Sequence, residues 1–122
     1  MIGATGNVGP YLIRQLAEMG ASTIVAVSRS GAGKLADLAT ELKAQGTTLV
    51  EVAADAADEA AMTALFDRFG ADLPALEGVY LAALSGDEAL LTEMSDVQVN
   101  TMFRPKLDAA AVLHRLTLRT PA

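Results

Sequence analysis

The sequence predicts an open, doubly wound α/β fold built on a parallel sheet, and three observations predict it. Gly20 and Gly46 each close a helical pattern and are each followed, after a short gap, by a run rich in Val, Ile and Thr, which is βα alternation. The run Thr23 to Val27 is apolar throughout, as parallel strands covered on both faces tend to be. A glycine cluster stands at the start, directly before the first helical pattern.

The elements follow in order. Met1 and Ile2 are all that precedes Gly3, so the strand expected at the centre of such a sheet is nearly absent, and the chain reads as truncated at both ends and poorly stable. In the first helix Val8, Leu12, Leu16 and Met19 recur at three- and four-residue spacing, with Pro10 near the start, where its missing amide hydrogen costs little. Gly20 stops it. The second strand, Thr23 to Val27, ends in Ser28-Arg29-Ser30-Gly31. A second helix carries Leu35, Leu38 and Leu42 on one side and stops at Gly46. Thr48 to Ala53 forms a third strand, with Asp55 just past its carboxyl end. A helix from about Asp58 to Phe69 presents Met62, Leu65, Phe66 and Phe69 before Gly70 and Pro74 break it. Val79 to Ala83 is the fourth strand. The last helical pattern opens with Ser95-Asp96-Val97-Gln98, spaced as a capping box, and runs to about Leu118 with a bend at Pro105. Strand and helix alternating four times is the order of a Rossmann-like sheet with right-handed crossovers.

Bulk properties narrow the function. The chain's 122 residues fit a single domain, 1–122, with no room for a second. Just over half the residues are hydrophobic (52%), yet no apolar run approaches the roughly 18 to 20 residues that span a bilayer. There is no cysteine and no signal-like leader, which favours a cytoplasmic location. A net charge of -6 argues against nucleic acid as a partner.

Gly3-Ala4-Thr5-Gly6-Asn7-Val8-Gly9 sits where the first strand passes into the first helix. Glycines let the backbone turn tightly and approach a phosphate, and the helix amino terminus supplies free amide hydrogens. Such turns also serve as plain connectors, but a strand end before and a helix after are the context a dinucleotide site requires. An acidic residue about 20 positions on would hold an NAD ribose, whereas a basic one accepts a 2′-phosphate. Arg29, between Ser28 and Ser30, occupies that place, so NADPH is favoured over NADH. Asp55, followed by Ala56, either accepts a hydrogen bond from an adenine amino group or caps the next helix. Ala82 and Ala83 either lie flat under a ribose or pack beneath a helix. On a regular helix Lys106 shares a stripe with Met102, Phe103, Ala110 and Leu113, so its ammonium faces the protein, unless its stem packs and its head snorkels to solvent. His114 reads as a helix-surface residue.

Together the glycine loop, Ser28-Arg29-Ser30-Gly31, Asp55, and Arg104-Pro105-Lys106-Leu107-Asp108 with Leu113-His114 resemble ketoreductase domains of modular type I polyketide synthases, within the short-chain dehydrogenase superfamily. The resemblance runs over the whole chain, and the Arg-Pro-Lys stretch is its most specific part. It implies reduction of the 3-keto group of an acyl chain held on a carrier protein, with hydride from NADPH, in polyketide or complex-lipid biosynthesis. It further implies that Gly3, Gly6 and Gly9, with Thr5, Asn7 and Val8, hold the pyrophosphate. Arg29, flanked by Ser28 and Ser30, takes the 2′-phosphate. By the same resemblance Asp55, with Ala56 after it, would meet the adenine and Lys106 would match the family's active-site lysine, while Ala82 and Ala83 are the candidates for the ribose. The family's Ser and Tyr lie beyond that lysine, so the chain alone is expected to be inactive and to depend on the remainder of its domain and synthase. Two departures stand out. Leu81-Ala82-Ala83-Leu84 replaces a His-Ala-Ala-Gly run, so Leu84 is expected to crowd the nicotinamide side, and Gly86-Asp87-Glu88 replaces a Leu-Asp-Asp loop that reports hydroxyl configuration. A non-catalytic NAD(P)-binding module of the atypical-reductase or redox-sensor type, which shares the Gly-Ala-Thr-Gly-x-x-Gly start, is the alternative. A purely structural half-domain is a third reading.

Overall fold

The computed structural model describes residues 1–30, 33–83 and 89–119. Leu84 and Gly86-Asp87-Glu88, which bear on the nicotinamide side and on configuration, lie outside the described residues, as does Gly31. The elements are α1 (Gly9–Glu18), β1 (Thr23–Ser28), α2 (Ala36–Ala44), β2 (Thr48–Ala53), α3 (Glu59–Phe66), a 3-10 turn (Leu91–Glu93), α4 (Asp96–Phe103), a π turn (Arg104–Asp108) and α5 (Ala109–Arg119).

β1 and β2 pair in parallel, with Thr23 opposite Thr48 and Ser28 opposite Ala53. On the other side of β1, Ile2 forms parallel bridges with both Val27 and Leu81. Backbone bonds extend these bridges: Val27 N–H donates to Met1 O at 2.9 Å, Ile2 N–H to Tyr80 O at 2.8 Å, and Ala82 N–H to Ile2 O at 2.9 Å. The spatial order is therefore β2, β1, residues 1–2, residues 79–83, which is half of a Rossmann-like sheet. Among the described residues the run Val79 to Ala83, predicted as a strand, forms one bridge, at Leu81 opposite Ile2. α3 ends at Phe66 rather than Phe69. Phe69 folds back so that its ring meets Phe66 edge-on, centroids 5.5 Å apart.

Strand alternation divides the core between two layers. Ile24 and Ala26 point to one face, where Leu35, Leu38 and Leu42 of the α2 region and Ile13 of α1 cover them. Val27 points to the other, with Val25, Val50 and Val52 beside it, and meets Met62, Leu65 and Phe66 of α3 and Ala109, Val112, Leu113 and Leu116 of α5. Helices on both faces make the fold doubly wound, as the sequence predicts.

α1 departs from its predicted stripe. Val8 and Met19 are 55% and 71% exposed, whereas Gly9 and Ile13 are buried. The helix is held close at its amino end: a Cβ on Gly9 would lie 2.1 Å from the Ala4 carbonyl oxygen. That close approach turns Gly9 and Ile13 inward, one position on from Val8 and Leu12, while Leu16 keeps its predicted place and Ala17 joins it.

Candidate functional site

At the carboxyl edge of the sheet the strand ends and the loops after them enclose a cleft of about 820 Å³. This is the place where open α/β sheets bind ligands. Gly3, Thr5, Gly6, Asn7, Val8, Ser28, Arg29, Ser30, Asp55, Ala56, Ala82, Ala83 and Lys106, predicted from five separate stretches of sequence, all line it. Gly9 does not.

The three glycines of the first loop have different reasons to be glycine. Gly3 has a φ of +79°, and a Cβ there would come within 2.7 Å of the Ala82–Ala83 backbone. Gly9 has no side chain because α1 presses on Ala4. Gly6 has neither constraint: an added Cβ would meet only Gly3 O, at 3.4 Å, an ordinary contact. Nothing in the chain itself requires glycine at position 6, yet it lines the cleft. A bare backbone there leaves room for a ligand to come close. The α1 amino terminus beside it carries no side-chain cap and no acidic residue in its first turn, so its amides remain available to an anion.

Arg29 is exposed at the end of β1 and, among the described residues, takes part in no ion pair. The hydroxyls of Thr5 and Ser30 lie 3.4 Å apart and join the glycine loop to the Arg29 strand end. Asp55 does not cap α3. That task falls to Asp58, whose carboxylate accepts Ala61 N–H at 3.2 Å. Asp55 Oδ1 instead accepts Ala57 N–H at 2.9 Å, and Oδ2 accepts Arg104 Nε–H at 2.9 Å. Partial burial works to raise this carboxyl, but the Ala57 amide, the Arg104 bond and charge, and the Arg29 charge together hold it below its ordinary value. Ala56 is both buried in the core and at the cleft wall.

Lys106 stands differently from its prediction. Pro105 has no N–H to give to the fourth preceding carbonyl, and its ring would collide with it. The helix widens into a π turn here, and Ala109 N–H reaches back five residues to Arg104 O. The extra residue rotates everything beyond it. The buried stripe becomes Ala109, Val112, Leu113 and Leu116, Ala110 is exposed, and Lys106 is exposed at the cleft margin rather than turned into the protein. Arg104, at the start of the π turn, lines the same cleft, and spacing along the sequence does not single it out as a site residue because its partner lies 49 residues away. His114 is on the surface, as expected. The capping box at Ser95 forms, with Gln98 N–H donating to Ser95 Oγ at 3.2 Å and Ser95 N–H to Gln98 Oε1 at 2.8 Å. Among the described residues no cluster of acidic or histidine side chains could hold a metal, and no helix is long and apolar enough to cross a membrane.

The KR domain family model matches residues 1–122. A component of the phenolphthiocerol/phthiocerol polyketide synthase of Mycobacterium bovis is 64% identical over 121 residues, covering 99% of this chain and 8% of that protein. A highly reducing polyketide synthase of Didymella fabae is 30% identical over 98% of this chain and 6% of its own length. The chain thus spans under a tenth of the curated relatives it matches. Among solved structures, an A-type ketoreductase from a modular polyketide synthase superposes with a TM-score of 0.87 at 37% identity, over 97% of this chain and 26% of that one. A short-chain dehydrogenase of Burkholderia cenocepacia in complex with NADP shares the fold, with a TM-score of 0.84 at 18% identity over 98% of this chain and 48% of its own.

Proposed function

The chain belongs to the KR domain family, and on that premise we propose that it forms the NADPH-binding part of a ketoreductase that reduces the 3-keto group of a carrier-protein-bound acyl chain during polyketide or complex-lipid synthesis. One observation carries the reading: Gly6 is a glycine that the fold does not require, at the wall of a cleft beside an uncapped helix amino terminus. A pyrophosphate fits there, since the backbone permits close approach and the α1 amides carry partial positive charge.

The other residues follow from that placement. Arg29 and Ser30 receive the 2′-phosphate by charge and hydroxyl, and the absence of a carboxylate at the end of β1 disfavours an unphosphorylated ribose as the preferred ligand. Asp55 keeps acceptor capacity on both oxygens for the adenine amino group, since each carboxylate oxygen already takes one bond and can take a second. Ala82 and Ala83 pass flat beneath the ribose, as close to the loop as the missing Gly3 side chain permits. The reduced nicotinamide, when bound, supplies hydride. Lys106, free at the cleft margin, orients hydroxyl groups and adds positive charge near the reacting end, which favours proton release by an acid group in its neighbourhood. A tyrosine outside these 122 residues would donate the proton to the carbonyl oxygen as hydride reaches the carbon, so turnover is not expected of the 122 residues alone.

The experiment is a titration of the 122-residue chain with NADPH and with NADH, read by nicotinamide fluorescence. Saturable binding with NADPH preferred at least about tenfold supports the reading, a margin that corresponds to roughly 1.4 kcal/mol. Equal affinity, or none, overturns it. Steady NADPH oxidation by this chain with a 3-ketoacyl thioester would overturn the assignment of the proton donor elsewhere.

A further inference from the structure

The stretch that carries Lys106 is poorly anchored by packing. Neither α4 nor the π turn has a buried residue, and burial starts again only at Ala109. The π turn packs along the helical axis between α4 and α5, and α4 packs chiefly against the π turn. Among the described residues one ion pair leaves this stretch, from Arg104 Nε to Asp55 Oδ2 at 2.9 Å, and it reaches the loop beyond β2.

Asp55 is a fixed anchor. Its other carboxylate oxygen accepts Ala57 N–H at 2.9 Å, and its main-chain carbonyl accepts Asp58 N–H at 2.9 Å, so its own loop locks the carboxylate before Arg104 arrives. Arg104 opens the π turn, and Lys106 lies two residues further along it. A guanidinium held at its Nε fixes the start of that turn against the sheet edge, and the turn is the lever on which Lys106 sits.

We infer that Arg104 is a positioning residue whose clasp on Asp55 sets the π turn, and with it Lys106, over the cleft. The wall proposed to meet the adenine is thereby coupled to the wall that carries the lysine. This second consequence rests on the NADPH reading above; the clasp itself does not.

The test separates the two. Amide hydrogen exchange at residues 106–110 is measured without any cofactor in the wild-type chain, in Arg104→Met, in Asp55→Asn and in the double variant. Asp55→Asn retains an oxygen for the Ala57 amide, and both side chains are partly exposed, so the variants fold. The clasp predicts exchange about two- to fivefold faster in each single variant, the span expected of a partly exposed ion pair, with the double variant no faster than either single one. Unchanged exchange, or effects that add in the double variant, overturns it. NADPH and NADH titrations of Arg104→Met then distinguish positioning from direct contact. Equal fold-loss of both supports positioning, whereas loss confined to NADPH makes Arg104 a 2′-phosphate contact and overturns the inference. If wild-type chain binds neither dinucleotide, the proposed function fails while the exchange data still decide the clasp.

Discussion

The two walls of the cleft are built by different means, and the difference shows what each can tolerate. The glycine-loop wall is held by backbone. Gly3 N–H donates to Val27 O at 3.0 Å, Ile2 is bridged on both sides, and α1 presses on Ala4 without a Cβ between them. The wall formed by α4 and the π turn has no buried residue, and among the described residues the ion pair that ties it to the sheet edge is Arg104 to Asp55, at the surface. Backbone contacts of the first kind cannot relax when a group is added, and surface contacts of the second kind contribute little to stability each. The first wall should therefore fail as part of the fold, and the second should fail only as a site.

The sharpest way to break this comparison is Gly9→Ala. A Cβ placed 2.1 Å from a carbonyl oxygen and 2.5 Å from its carbon must displace α1 or the loop, so denaturation should show a loss of about 3 kcal/mol. Stability within experimental error of wild type would mean that the first wall is as yielding as the second. Arg29→Ala tests the strand end between them. Removing one charged partner of a phosphate should lower NADPH affinity roughly tenfold to a hundredfold and leave NADH and the melting temperature unchanged. A parallel loss of NADH binding would mean that Arg29 shapes the loop instead of reading the phosphate.

Gly6→Ala sharpens the contrast within a single loop. Its Cβ has only a 3.4 Å neighbour, so stability should change by less than about 1 kcal/mol while NADPH affinity falls about tenfold. Destabilisation comparable with Gly9→Ala would show that the glycine serves the fold after all.

The smallest effect is a pH dependence at the second wall. The Asp55 carboxyl is held below its ordinary value in the folded chain, so the stabilisation linked to it is complete above the unfolded carboxyl value of about 3.9. It is lost as pH falls through the lower folded value. The stability gap between wild type and Asp55→Asn should therefore be flat from neutral pH down to about 4 and close below it. A gap that widens on acidification would contradict the Arg104 clasp.

The sequence by itself determined whatever depends on periodicity and on local backbone chemistry. β2 begins and ends where its Thr and Val run does, β1 is right to one residue, and the capping box at Ser95 forms with both of its hydrogen bonds. Thirteen predicted site residues converge on one cleft because a parallel βα order delivers every strand's carboxyl end to the same edge. Tertiary structure decided what depends on partners remote in the chain. Gly6 and Gly9 are alike in a motif, and only the approach of α1 to Ala4 makes one a packing residue and leaves the other open. Lys106 turned outward because one π turn at Pro105 shifts the helical register, which a period of 3.6 carried past a proline does not foresee. Arg104 met Asp55 across 49 residues, a pairing that spacing along the chain does not encode because folding alone brings the π turn to the loop beyond β2.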